Sequence, residues 1–75
     1  MEKKIKKILK NILEENGHDA SVIENIKDST VLTQDIGLDS FNLAQLTVEI
    51  ESEFGVDIFE NGVISTFGEI LNQLK

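Results

Sequence analysis

Asp39-Ser40-Phe41-Asn42-Leu43-Ala44-Gln45-Leu46-Thr47-Val48-Glu49-Ile50-Glu51-Ser52-Glu53-Phe54-Gly55 is the stretch that decides the fold. Leu43, Leu46, Thr47, Ile50 and Phe54 recur at three- and four-residue spacing, one stripe of a helix from about Ser40 to Phe54. Gly55 stops it, because glycine accepts the left-handed backbone that ends many helices. Glu49, Glu51 and Glu53 lie largely off the stripe and are expected to face water. At the other end Asp39 or Ser40 is a good N-cap, worth about 1 kcal/mol over alanine.

Upstream, Ile5, Ile8, Leu9, Ile12 and Leu13 form a second helical stripe, with Gly17 as its stop. Residues 18–34 are turn-rich, with Val22, Ile23, Ile26, Val31 and Leu32 as core anchors. A loop of that length with no structure of its own is uncommon, so a short helical turn is expected within it. Downstream, Val56-Asp57-Ile58-Phe59 reads as an extended link that plugs the core. Residues 60–65 have room for one or two helical turns, with Val63 and Ile64 inward. Thr66-Phe67-Gly68-Glu69 has the capping-box pattern, and Ile70, Leu71 and Leu74 give a last helix its apolar face. The fold class expected is all-α: a small four-helix bundle, three helices long and one short, forming one domain over 1–75.

With 75 residues, the chain buries only about 60% of the surface its unfolded form exposes, so its stability margin is thin. It has no cysteine and one histidine, which excludes disulfides and thiolate or histidine-cluster metal sites. Its core must come from aliphatic residues and the four phenylalanines. The lysine-rich start looks like a secretory leader, but no continuous apolar stretch follows, and no run approaches the roughly 18 residues that cross a bilayer. A cytoplasmic protein without a transmembrane segment is expected.

The net charge of −7 is uneven: residues 1–10 hold five lysines and one acid, and residues 11–75 hold two lysines and thirteen acids. Such an acidic body disfavours nucleic acid, which needs clustered basic side chains, and suits partners with basic docking surfaces. The lysines read as the solvated face of the first helix.

No catalytic residue emerges. His18 sits in a polar turn without an orienting partner and reads as a surface residue. Asp35-x-Gly37-x-Asp39 lacks the sixth-position glycine and closing glutamate of a calcium loop, so no metal site is expected. What remains is Asp35-Ile36-Gly37-Leu38-Asp39-Ser40 before an acidic helix. A hydroxyl at a helix N-terminus stands outside a bend, where free amides and the positive dipole end favour a phosphodiester. Capping and phosphate attachment are compatible there.

Gly37-Leu38-Asp39-Ser40-Phe41, followed by Leu46, Ile50-Glu51-Ser52-Glu53-Phe54-Gly55-Val56, Ile58 and a late Thr66, resembles the acyl and peptidyl carrier protein family. The resemblance covers the chain in helix order and length and is densest over 35–58. It implies a 4'-phosphopantetheine arm on Ser40, with Gly37, Leu38 and Asp39 around the attachment. A phosphopantetheinyl transferase would install the arm from coenzyme A with magnesium. The arm would hold an acyl or aminoacyl thioester, supplied by a loading enzyme and presented to downstream synthases or transferases. The carrier itself would not be an enzyme. The second helix would be the docking face, with Leu38, Phe41, Ala44 and Val48 as apolar contacts and Asp39, Glu51 and Glu53 as charges.

Two departures stand out. Fatty-acid carriers usually have acids near the positions of Asn42 and Gln45, and the link from Phe54 to Thr66 is shorter here by a residue or two. Both lean towards a specialised polyketide, peptide-type or other acyl pathway over fatty-acid synthesis. The lack of Pro-rich or Gly/Ser-rich flanks leans towards a free-standing carrier over a module of a synthase, and a monomer is expected. Leu43, Leu46, Thr47, Ile58, Phe59 and Ile64 line a candidate cargo gap, with an ordinary close-packed core as the alternative. The competing class is a cofactor-free helical interaction domain in which Ser40 only caps a helix.

Overall fold

The computed structural model describes residues 2–60, 62 and 64–74. Among these, three α-helices and one short 3₁₀ helix surround one apolar core: α1 (Glu2–Glu15), the 3₁₀ helix (Ala20–Asn25), α2 (Ser40–Phe54) and α3 (Phe67–Leu74). This is the expected all-α bundle with one short member. No helix of the described chain is long and apolar enough to cross a membrane.

The expected stripe of α1 is the buried one, with Ile5, Leu9, Ile12 and Leu13 fully enclosed and Ile8 packed beside them. Gly17 has φ +75°, and the His18 amide donates back to the Leu13 carbonyl at 2.8 Å. The chain then enters the 3₁₀ helix, whose N-cap Asp19 accepts from the Ser21 amide at 2.9 Å. Three residues per turn put Ala20, Ile23 and Ile26 on one inward face. That periodicity turns Val22 outward, 36% exposed, against its expected role as an anchor.

The segment between this helix and α2 is held by backbone bonds to the approach of α3. The Leu32 amide donates to the Ser65 carbonyl at 2.9 Å, and the Phe67 amide donates to the Thr30 carbonyl at 3.0 Å. Val31 and Thr66 thereby form an isolated antiparallel bridge. Leu32, Ile36 and Leu38 are buried under this segment, each worth about 1.5–3 kcal/mol relative to exposure.

The chain after α2 departs from expectation. Ile58 plugs the core at 0% exposure, yet residues 58–60 form a turn, not an extended link. Asp57 causes this: its side chain accepts from the Phe59 amide at 2.9 Å and its carbonyl from Glu60 at 3.2 Å, a local Asx turn. The described residues of 60–65 are not helical. Gly62 has φ +131°, and the Ser65 carbonyl is committed to Leu32. Ile64 is buried as expected; Val63 lies outside the described residues.

The Thr66–Glu69 capping box forms: the Glu69 amide donates to Thr66 Oγ1 at 3.3 Å, and Glu69 Oε1 accepts the Thr66 amide at 3.0 Å. Phe67 is fully buried, whereas Phe54 and Phe59 are only partly so. Phe41 is 71% exposed, so the four phenylalanines do not all serve the core.

Candidate functional site

The orientation of α2 follows from its buried side chains. Asn42, Leu46 and Ile50 sit at four-residue spacing and are at most 1% exposed, fixing one face inward. Leu43, Thr47 and Phe54 flank it. The opposite face presents Ser40, Phe41, Ala44, Val48 and Glu51, all exposed.

Asp39, not Ser40, caps this helix. Its extended backbone (φ −97°, ψ −177°) precedes the first turn, and its Oδ1 accepts the Asn42 amide at 2.8 Å. In return the Asp39 amide donates to Asn42 Oδ1 at 3.2 Å, closing a capping box. Ser40 is therefore the first helical residue. Of the two expected caps, Asp39 or Ser40, the structure uses Asp39, which has the non-helical backbone a cap requires. No hydrogen bond engages the Ser40 hydroxyl among the described residues.

The approach to Ser40 is fixed by its preceding loop. Gly37 has φ +91°, a conformation costly for any other residue. It reverses the chain so that the Leu38 amide reaches the Leu32 carbonyl at 3.1 Å. Asp35 accepts the Val31 amide at 2.7 Å. Leu38 is 3% exposed and cannot be an apolar docking contact. It anchors the loop beneath the site.

Two open grooves flank the ridge of Ala44 and Val48. On one side lies a volume of about 530 Å³ lined by Ser40, Leu43, Ala44, Thr47, Val48 and Phe59. It is almost wholly apolar, and the Thr47 hydroxyl turns away from it in hydrogen-bond terms by donating to the Leu43 carbonyl at 2.9 Å. Of the candidate cargo-lining residues, Leu43, Thr47 and Phe59 face this groove. Leu46, Ile58 and Ile64 are instead core residues. On the other side a volume of about 430 Å³ is lined by Glu15, Phe41, Ala44, Gln45, Val48 and Glu49.

The acids are distributed differently from the sequence expectation. Glu49 does not simply face water: its Oε2 is buried without a hydrogen-bond partner. Desolvation, then repulsion from Glu15, raises its pKa above the ordinary value. Glu53 lies 4.0 Å from Lys4 of α1, while Glu51 is exposed. Asn42 is not a docking-face polar residue at all, being 1% exposed. Gln45 bends towards α1, donating to Glu15 at 2.9 Å. The pairing of Glu15 with Glu49 escaped sequence reading because they lie on different helices. The Asn42 role had a signal, its position three residues after a capping aspartate.

A phosphopantetheine arm fits this geometry: the Ser40 hydroxyl is free at a helix start and opens onto an apolar groove. The family described as phosphopantetheine attachment site matches residues 3–72. Two proteins named acyl carrier protein, from Rickettsia bellii strains RML369-C and OSU 85-389, are each 31% identical to this chain over 71 residues. The match covers 92% of this chain and 79% and 84% of theirs, respectively. Covalently attached 4'-phosphopantetheine is the cofactor of such proteins, which carry groups and are not enzymes; this sets aside the cofactor-free alternative. The chain belongs to the acyl carrier protein family.

Proposed function

We propose that Ser40 bears the phosphopantetheine arm and that this chain carries acyl groups in a specialised acyl pathway. The carrying observation is the exposed, unengaged Ser40 hydroxyl at the first position of α2, beside an open apolar groove. Installation joins Ser40 Oγ to the pantetheine phosphate of coenzyme A, breaks the phosphoanhydride bond, displaces adenosine 3',5'-bisphosphate and releases the hydroxyl proton. Asp39 holds the first turn in register through Asn42, Gly37 sets the bend, and Leu38 fixes the loop. The positive end of α2 favours the phosphodiester.

The arm supplies a thiol on which an acyl group is held as a thioester. Leu43, Ala44, Thr47, Val48 and Phe59 offer that group an apolar surface beside Ser40. Cargo covering this groove would be shielded on one side without opening the close-packed core. Phe41, Ala44 and Val48 form the apolar docking ridge, with Glu51 at its far end. The first turn of α2 contains no acid, which supports the specialised pathway over fatty-acid synthesis, although Asn42 no longer counts towards that argument. Aminoacyl cargo is the next reading of the same arm. We further propose a cytoplasmic monomer forming a single domain, served by a phosphopantetheinyl transferase, a loading enzyme and downstream synthases or transferases.

The test is mass spectrometry after incubation with coenzyme A, magnesium and a promiscuous phosphopantetheinyl transferase. The wild-type chain is expected to gain one phosphopantetheine group and Ser40→Ala none. A gain on Ser40→Ala, or none on the wild type, overturns the assignment.

A further inference from the structure

We propose that the lysine-bearing outer face of α1, with the groove it forms against the 3₁₀ helix, seats an acidic segment of a partner protein. This surface is separate from the ridge of α2 and needs no arm on Ser40.

The charges of α1 run against its dipole. Five lysines lie in its first nine residues, and its last turn holds Glu14 and Glu15 with no base. A helix dipole favours the reverse, acids at the N-terminus and bases at the C-terminus. Lys3 with Lys7, and Lys6 with Lys10, are also like charges one turn apart, which destabilise a helix. Nothing within the chain offsets this for most of them. Among the described residues only Lys4 has an acid within ion-pairing reach, Glu53 at 4.0 Å. Lys3, Lys6, Lys7 and Lys10 turn away from the buried stripe of Ile5, Leu9 and Ile12 and stand unpaired. A local rule broken without compensation, in a chain with a thin stability margin, is the mark of a functional surface.

The groove says what fits that surface. A volume of about 380 Å³ between α1 and the 3₁₀ helix is lined by Lys6, Lys10, Ala20, Ser21, Ile23 and Glu24. Lys6 is half-buried along it, and Ala20 and Ile23 add an apolar floor. A partner's glutamate meets both parts, its methylenes on the floor and its carboxylate between the two ammonium groups, with the Ser21 hydroxyl as a further donor. Glu24 sets one acid against two lysines, so the lining stays net positive. Lysines one turn apart match acids four residues apart on a partner helix. A flat anionic lipid surface fits less well, because the groove is concave and the apolar stripe of α1 is already packed in the core. Residues 11–75, with thirteen acids and two lysines, would also repel such a surface. Position keeps the seat clear of the attachment site. α1 and α2 run antiparallel, with Gln45 bonded to Glu15 and Lys4 beside Glu53. The lysine-rich start of α1 therefore lies by the end of α2, Glu53 being about 20 Å along the helix from Ser40 at 1.5 Å per residue.

The test titrates the full ¹⁵N-labelled chain with a decaglutamate peptide at low ionic strength and reads amide shifts. Shifts are expected at residues 3–10 and 20–24 and not around Ser40. Lys6→Gln combined with Lys10→Gln should weaken binding about tenfold, from two exposed charge pairs of roughly twofold to fivefold each. Lys4→Gln combined with Lys27→Gln removes equal charge outside the groove and should stay within about threefold. The groove variant should melt at or above the wild-type temperature, since it removes like charges from the positive end of a dipole, so weaker binding would not reflect unfolding. Shifts that do not favour α1, or a groove variant that binds as the control does, overturn the seat. So does a chain whose α1 responds to phosphatidylglycerol vesicles and not to decaglutamate, which would assign the face to a lipid surface. The titration uses the chain without its arm, so its failure leaves Ser40 as the attachment point.

Discussion

Replacing Asn42 with alanine separates a structural from a recognition role for that residue. Its side chain is 1% exposed, and its Oδ1 accepts the Asp39 amide at 3.2 Å. Losing that bond removes about 0.5–1.5 kcal/mol. The vacated volume is small but enclosed beside Leu46, adding about 0.5–1 kcal/mol for a void that closes only partly. The sum, about 2 kcal/mol, is large for a chain of 75 residues, whose whole stability is about 4–11 kcal/mol. A domain of this size loses about 4–8 °C per kcal/mol, so the midpoint should fall by about 8–16 °C.

The comparison is Gln45→Ala. Gln45 is half-exposed and bonds to Glu15 at 2.9 Å near the surface, so its loss should cost at most about 0.5 kcal/mol. Circular dichroism at 222 nm during thermal unfolding, with urea titration to check that the denaturant slope is unchanged, reads both variants. If both residues were docking-face polar groups, the two midpoints would agree. An Asn42→Ala midpoint within about 2 °C of the wild type would refute the buried capping role, being less than the shift of half a kcal/mol.

Asp39→Ala should lose about 1 kcal/mol through the cap, whereas Ser40→Ala, at a non-capping position, should melt almost with the wild type; parallel melts would check the order. Gly68→Ala should destabilise despite alanine's helix advantage of about 1 kcal/mol. A Cβ there would sit 2.9 Å from both the backbone oxygen and the Cβ of Asp28, and overpacking of that kind costs about 1–3 kcal/mol. A higher melting temperature would contradict the close approach. For Glu49 the folded pKa is raised, so its penalty is absent below the ordinary carboxylate value. The penalty grows as pH rises through the folded value. Glu49→Gln should therefore stabilise at neutral pH and not at acidic pH, as read by melts across pH. Glu69 has the opposite sign. Hydrogen bonds from Ser65, then Thr66, lower its pKa. Its contribution is present above the ordinary value and lost as pH falls through the lowered one, so Glu69→Gln should matter only above that window.

The helices were legible because their signals are local. Ser40, Phe54 and Gly55 bound α2 through stripe and stop, and Thr66 with Glu69 marks the start of α3 as a pattern four residues long. Distance in sequence is what hid the rest. Gly68 reads as a neutral member of a capping box, yet its lack of a side chain lets α3 touch Asp28, forty residues away, where the Gly68 amide donates to the Asp28 carbonyl at 2.9 Å. Glu49 looked like one more solvated acid because Glu15 belongs to another helix. Residues 60–65 had room for at most one or two helical turns, but among the described residues the Asx turn at Asp57 and the bond from Leu32 to Ser65 hold the backbone instead. At the candidate site, the motif is what proposes Ser40, while its place one residue inside the cap depended on Asn42 turning inward.

That inward turn also sets a groove on either flank of α2. With Asn42, Leu46 and Ile50 buried, the ridge of Ala44 and Val48 divides an acid-lined groove on the α1 side from an apolar groove leading past Ser40 to Phe59. On the proposed reading, docking ridge and cargo surface meet along one helix, and Phe41 and Phe59 each line only one of the two grooves, so changes to either should be separable. Phe59 is half-buried and lines only the cargo flank. Phe59→Ala removes apolar surface next to Ser40 without touching Glu15 or Glu49. It should shorten the lifetime of a loaded acyl thioester against hydrolysis, more for long chains than for acetyl, while the rate of arm installation stays within about twofold, the range of a change outside the docking charges. Phe41→Ala, on the proposed docking ridge and outside the groove that Phe59 lines, should do the reverse, slowing installation and leaving thioester lifetimes unchanged. The two measurements on the two variants form a square. Equal lifetimes for long and short chains in wild type and Phe59→Ala alike would remove the apolar groove from any role in protecting cargo, because a surface that shields by contact must act in proportion to the chain it covers.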